Sequence, residues 1–124
     1  MYYARVEAEF AAAHFLSLYH GKCENLHGHN YRARLFVRGE TLDSGGMLVD
    51  FAVLKKILKE ICGGLDHSNL NDMAAFQNNP SAERIAEYIY EKAKKKLEGL
   101  EINNALLWAV EVYETRTCMA RFEP

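Results

Sequence analysis

The sequence predicts an α+β fold in which one antiparallel sheet carries two helices on one face. Three observations predict it. Residues 3–13 and 31–37 alternate apolar and polar side chains, residues 51–61 and 82–97 carry apolar side chains at helical spacing, and alternation returns over residues 106–112 and 118–122. The resulting order, β-β-α-α-β-β, segregates strands from helices, and such chains bury one face of a sheet under their helices.

In the first strand Ala4, Val6, Ala8 and Phe10 share one face while Arg5, Glu7 and Glu9 share the other, as in a half-buried strand. The apolar parity runs on through Ala12 to His14. A loop rich in Gly, His and Asn leads to the second strand, where Tyr31, Ala33, Leu35 and Val37 oppose Arg32, Arg34 and Arg38. Asp43-Ser44-Gly45-Gly46 is a turn. Asp50 caps a helix whose apolar stripe is Phe51, Leu54, Ile57, Leu58 and Ile61, and Gly63-Gly64 ends it. Residues 65–79 read mostly as loop. Ser81 is the N-cap of a second helix with a buried stripe of Ala82, Ile85, Ala86, Ile89, Ala93 and Leu97, closed by Gly99. Leu106, Trp108, Val110 and Val112 then alternate, and Cys118, Ala120 and Phe122 form a short partner strand across a tight Thr115-Arg116 connection.

The 124 residues suit one domain, residues 1–124, around one core. Fifteen Lys and Arg against seventeen Asp and Glu give a net charge of −2, which supplies no global attraction to nucleic acid or an anionic membrane. The run Lys94-Lys95-Lys96 falls late in the second helix, where it complements the helix dipole on a solvated face. No apolar stretch approaches the ~20 residues of a membrane span, and residues 1–5 lack the pattern of a signal peptide. The three cysteines, Cys23, Cys62 and Cys118, have no disulfide-framework spacing, so a reducing cytoplasm is the expected compartment.

His27-Gly28-His29 is the sharpest chemical signal. Residues i and i+2 of an extended chain project to one face, about 7 Å apart along the strand, and both histidines share parity with Tyr31, Ala33 and Leu35. His14 stands in the same relation to Phe10 and Ala12. If the two strands pair as a hairpin, the three imidazoles meet at one end of the sheet. Three neutral imidazoles with an open position form a catalytic zinc arrangement, able to polarise a substrate oxygen. His-x-His also occurs in cupin metal sites, which place a glutamate a few residues on; residues 31–35 hold no acid. His20 has no such partner and reads as a loop histidine.

Cys23, four residues before His27, has two possible roles: a fourth ligand closing a structural zinc site, or a thiolate base beside an open one. Asp66-His67 is an acid–base unit if the carboxylate orients the imidazole. Glu114 shares parity with Trp108, Val110 and Val112, and a carboxylate ending an apolar strand face needs a partner. Two N–H donors of a flat heterocycle with an amidine-like edge would serve. Glu111, on the other parity, reads as a surface residue, and Cys62 and Cys118 read as core packing.

Together these residues resemble the 6-pyruvoyl-tetrahydropterin synthase / 6-carboxy-tetrahydropterin synthase family. Six motifs in order carry the resemblance along nearly the whole chain: Phe10-Ala11-Ala12-Ala13-His14, the stretch from Cys23 to His29, Val49-Asp50-Phe51, the stretch from Leu65 to Asn71, Asn79-Pro80-Ser81-Ala82-Glu83, and Tyr113-Glu114-Thr115. The resemblance implies a tunnelling fold, whose subunits join their sheets into a barrel, and a homohexamer built as a dimer of trimers with shared active sites. It implies zinc on His14, His27 and His29, Cys23 as general base, and Asp66 and His67 as the proton relay. It makes Glu114, with Thr115, the pterin anchor, and brings Ser81 and Glu83 near the pterin, although this chain has Ala82 where members often carry a second hydroxyl residue. The implied substrate is 7,8-dihydroneopterin triphosphate. The spacing of Cys23 to His27 resembles the 6-carboxy-tetrahydropterin synthases of queuosine (7-deazapurine) biosynthesis. Glu24 resembles the branch that cleaves the side chain to 6-hydroxymethyl-dihydropterin for folate synthesis. The animal-type pyruvoyl synthase is a third option, and a non-catalytic zinc-stabilised oligomeric binding module is the alternative of another class.

Overall fold

A computed structural model describes residues 1–18, 21 and 24–124. Strands β1 (Tyr2–His14) and β2 (His27–Gly39) form a long antiparallel hairpin, and α1 (Phe51–Leu65) follows. A short strand β3 (Ser68–Asn69), two 3₁₀ turns, α2 (Ala82–Glu98), β4 (Leu106–Tyr113) and β5 (Met119–Phe122) complete the order. The sheet runs β3-β1-β2-β4-β5. Val6, Phe10 and Ala12 of β1 and Tyr31, Ala33, Leu35 and Val37 of β2 are buried with Leu54, Ile57, Leu58 and Ile61 of α1 and Ile85, Ala86, Ile89 and Ala93 of α2, so the core lies between one sheet face and the helix pair; Phe51, expected in the first stripe, is exposed at the start of α1. No helix among the described residues is long and apolar enough to cross a membrane.

The caps fall where the sequence predicts them. Asp50 Oδ1 accepts from the Ala52 N–H at 2.8 Å, and Ser81 Oγ accepts from the Arg84 N–H at 3.3 Å. Lys94, Lys95 and Lys96 are exposed at the end of α2, and Lys96 Nζ lies 3.0 Å from Glu60.

Four expectations are corrected. Helix α1 continues through Gly63-Gly64 to Leu65, which is fully buried. Its packing outweighs the ~1 kcal/mol that each glycine costs a helix. Residues 65–79 are more than loop, since β3 pairs in parallel with Ala12 and Ala13 and makes the sheet mixed. Trp108 does not share the face of Val110. The register shifts between Phe36 and Val37, which pair with Ala109 and Leu107, and Trp108 is the extra residue of that bulge. It turns to the outer face against Tyr3 and Arg38, while Leu107 takes its place in the core. Cys62 is buried as expected, and burial pushes its thiol up to about 12, but Cys118 is exposed in the turn before β5.

Glu111 is also no surface residue. It is buried on the outer face between its cross-strand neighbours Arg34 and Arg121, whose nitrogens lie 3.9 and 3.0 Å from its carboxylate. Arg34 Nε also donates to Glu7 at 2.7 Å. A buried carboxylate survives only when charges and hydrogen bonds of this kind surround it.

Gly39 ends β2 where the chain passes the loop before β4. A Cβ there would run into the Asn104 carbonyl oxygen and sit 2.7 Å from Leu48 Cδ1. Asn104 cannot yield freely, because its amide donates to the Leu48 carbonyl at 2.8 Å and the Thr41 carbonyl at 3.2 Å. Gly39→Ala is therefore expected to destabilise the chain by ~1–3 kcal/mol. Urea unfolding checks this, and an unchanged midpoint contradicts the contact.

Candidate active site

The β1–β2 register sets His14 opposite His27 and Ala12 opposite His29. All three imidazoles stand on the core-facing side at the end of the hairpin next to its connecting loop. Their ring centroids are 4.5 to 5.0 Å apart, and one ligand atom from each lies within 4.8 Å of the others. His14 is 2% exposed, and its Nδ1–H donates to the Pro80 carbonyl at 2.8 Å. His27 Nδ1–H donates to the Asn25 carbonyl at 2.7 Å. Both bonds leave Nε2 as the free lone pair, the arrangement in which a carbonyl fixes the tautomer of a metal-binding imidazole. Burial lowers the His29 pKa; the Glu114 charge works against that shift, and His14 and His27 add to it. A lowered pKa keeps His29 neutral, the form that binds metal. Three converging imidazoles, with no thiolate or carboxylate in the cluster among the described residues, match the donor set of a catalytic zinc site, so the residues present fit zinc.

Glu114 lies beside this cluster, with Oε1 3.7 Å from His14 Nε2. Its backbone N–H donates to the Cys118 carbonyl at 3.2 Å, which holds the residue at the root of the β4–β5 turn. Thr115 Oγ1 accepts from the Cys118 N–H at 3.1 Å, so Thr115 organises the same turn. Tyr31, two residues beyond His29, is wholly enclosed, and its hydroxyl has no hydrogen-bond partner among the described residues. A buried hydroxyl left so costs ~1–3 kcal/mol.

A clamp behind His14 escapes the sequence reading. Asn71 accepts the Phe15 N–H at 2.8 Å, returns an N–H to the Phe15 carbonyl at 2.9 Å, and donates to Asn78 Oδ1 at 3.0 Å. Asn78 and Gln77 both take left-handed backbone, with φ of 58° and 50°, a conformation non-glycine residues adopt only when the surroundings hold them there. The clamp thus joins the residue after His14 to the loop that delivers the Pro80 carbonyl. The run Asn69-Leu70-Asn71 was its only sequence signal. Ser81 and Glu83 follow Pro80 at the start of α2; Ser81 is occupied as the cap, and Glu83 is exposed.

Asp66 and His67 do touch. His67 Nδ1 lies 2.8 Å from Asp66 Oδ2, and Asp66 Oδ1 accepts the Ala11 N–H at 2.8 Å. The Ala11 bond first, and the His67 bond second, hold the Asp66 pKa below its ordinary value. The Ala11 carbonyl in turn accepts the His67 N–H at 2.6 Å. The dyad is therefore fixed to the β1 edge, with the His67 side chain 82% exposed. His67 borders a shallow depression with Ala11, Ala13, Gly28 and Asn30, whose parity is opposite to that of the three histidines, and with Ala12 and His29, which share it. Among the described residues no hydrogen bond or ion pair joins the dyad to the triad. Glu24 is exposed, and its N–H donates to the Gly21 carbonyl at 3.1 Å. Cys23 and His20 lie outside the described residues.

Comparison with known proteins agrees with this geometry. The family model of 6-pyruvoyl tetrahydropterin synthase matches residues 3–124. The chain is 38% identical over 122 residues to a 6-carboxy-5,6,7,8-tetrahydropterin synthase of Synechocystis sp., covering 94% of this chain and 88% of that one. It is 36% identical over 102 residues to a dihydroneopterin monophosphate aldolase of Pyrococcus furiosus, covering 82% and 83%. The structure of Caenorhabditis elegans 6-pyruvoyl tetrahydropterin synthase superposes with a TM-score of 0.84 at 30% identity, covering 99% of this chain and 95% of that one.

Proposed function

The chain belongs to the 6-pyruvoyl tetrahydropterin synthase family, and from that premise we propose that it is a cytoplasmic zinc-dependent lyase converting 7,8-dihydroneopterin triphosphate and water to 6-carboxy-5,6,7,8-tetrahydropterin, acetaldehyde and triphosphate. This is the reaction of queuosine biosynthesis. The observation that carries the reading is the cluster of His14, His27 and His29, with its tautomers set by the carbonyls of Pro80 and Asn25. The relatives' names support the substrate class.

Zinc bound there supplies a Lewis acid that makes the side-chain hydroxyls of the substrate, and their neighbouring C–H groups, more acidic. The remaining work falls to this chain's own groups. Glu114 accepts N–H donors from the pterin ring and fixes its orientation, with Thr115, Ser81 and Glu83 at the edge of that pocket. Cys23, four residues before His27, takes a proton as thiolate. His67 moves a proton at Nε2 while Asp66 holds its other nitrogen. Because His67 is exposed at the sheet edge and no hydrogen bond or ion pair among the described residues joins the dyad to the triad, the dyad serves the site of a neighbouring subunit. A homohexamer with shared sites provides that neighbour.

A second reading is side-chain cleavage to 6-hydroxymethyl-dihydropterin. Glu24 and the likeness to the Pyrococcus furiosus aldolase favour it. Mass spectrometry of products from zinc-loaded protein and 7,8-dihydroneopterin triphosphate separates the two. 6-Carboxy-5,6,7,8-tetrahydropterin with acetaldehyde is the expected result. 6-Hydroxymethyl-dihydropterin would establish the second reading, and no turnover by folded, metal-replete protein would leave the non-catalytic zinc-stabilised module.

A further inference from the structure

The site as described leaves one side chain without work. The Tyr31 ring stacks on Phe10 at 4.8 Å with an interplanar angle of 10°, and its centroid lies 5.3 Å from that of His29 and 5.8 Å from that of His14. Phenylalanine would make the same ring contacts. Packing therefore accounts for the ring and leaves the hydroxyl unexplained, wholly enclosed and without a hydrogen-bond partner among the described residues.

The sheet register identifies the group this hydroxyl faces. Arg32 pairs with Tyr113 in the antiparallel ladder of β2 and β4, so one step further Glu114 comes opposite Tyr31 on the core-facing side. The Glu114 carboxylate is turned instead toward His14, 3.7 Å from Nε2, and Nε2 is the atom His14 has free for a metal. With Nδ1–H on the Pro80 carbonyl, Nε2 has no proton to give that carboxylate, and Tyr31 offers on the same face an O–H that has no partner among the described residues.

We propose that Tyr31 is a positioning residue whose O–H donates to the Glu114 carboxylate in the metal-loaded protein, aiming the carboxylate's other oxygen at the N–H edge of the bound heterocycle. This rests on the reading of Glu114 as the pterin anchor. It gives the orphaned hydroxyl a partner and the carboxylate a fixed direction, and a carboxylate held by a donor on one side presents a better-oriented acceptor on the other.

The test is a double-mutant cycle on binding. Wild type, Tyr31→Phe, Glu114→Gln and the double variant are loaded with zinc and titrated with 7,8-dihydroneopterin, following pterin fluorescence. Zinc content and the metal-free thermal midpoint are measured alongside. Tyr31→Phe is expected to weaken binding about tenfold, the worth of one hydrogen bond to a charged group. Glu114→Gln is expected to weaken it by ~10- to 100-fold, and the double variant no more than Glu114→Gln alone. Tyr31→Phe should keep its zinc, and its metal-free midpoint should equal or exceed that of wild type, because a hydroxyl without a partner is lost.

Tyr31→Phe binding as tightly as wild type while Glu114→Gln binds poorly would overturn the proposal and leave the anchor standing. So would losses that multiply in the double variant, or a lower metal-free midpoint, which would mean the hydroxyl holds the fold. Glu114→Gln binding like wild type would instead remove the anchor itself.

Discussion

Replacing His29 with alanine is expected to empty the metal centre and to lower turnover by at least ~10³-fold, since the Lewis acid supplies several kcal/mol of transition-state stabilisation and each 1.36 kcal/mol is a factor of ten. His29 is the informative choice. His14 is buried and its Nδ1 holds the Pro80 carbonyl, and His27 holds the Asn25 carbonyl, so removing either disturbs local structure as well as the donor set. His29 is part-exposed on the strand and takes no part in those two contacts. Zinc content measured by atomic emission should fall from about one ion per chain to near zero, because three imidazoles are the whole protein contribution to an open site. The thermal midpoint in chelator should change little. Zinc retained at full stoichiometry by His29→Ala would mean that a fourth protein group ligates the ion. Cys23 would be the first candidate, and the centre would then be a closed structural one.

A mixture of two inactive variants is expected to recover activity. His67→Ala lacks the relay and His29→Ala lacks the metal, and each should be at least ~10²-fold impaired, the usual worth of a positioned acid–base group or more. If triad and dyad of one site come from different subunits, co-refolded hybrids rebuild intact sites at some interfaces. Random mixing of two variants in a symmetric oligomer makes about a quarter of the sites whole. The geometry behind this is the place of the dyad at the exposed sheet edge, where no hydrogen bond or ion pair among the described residues joins it to the triad, although Ala12 and His29 share its depression with Ala11, Ala13, Gly28 and Asn30. Activity of the mixture no higher than that of either variant, with hybrids verified by mass, would place all five groups of a site in one chain.

The triad was legible because strand alternation is a local property. His14 in phase with Phe10, and His27 and His29 in phase with Tyr31, needed only a hairpin to bring them together, and the register supplies it. The two helix stripes and their caps were legible for the same reason. Features that depend on lateral neighbours were not. Glu111 looks solvent-facing until Arg34 and Arg121 are found on either side of it. Trp108 fits an unbroken alternation until the ladder gains a residue there. Strand β3 is two residues long and carries no period at all; its pairing depends on the Asp66 and His67 bonds to Ala11, set by residues more than fifty positions away. Asp66-His67 was suspected from chemistry alone, and only the fold shows the two side chains in contact.

His67 has a backbone φ of 56°, which bears on what the position tolerates. Glycine, asparagine, aspartate and histidine enter that region at small cost, while β-branched residues are strongly disfavoured there. The set that the turn accepts and the set able to shuttle a proton near neutral pH have one member in common, histidine. Two independent constraints therefore select the same residue. A descendant that abandoned the chemistry while keeping the fold would drift at this position toward asparagine or glycine, and the letter found there records which of the two constraints is still in force.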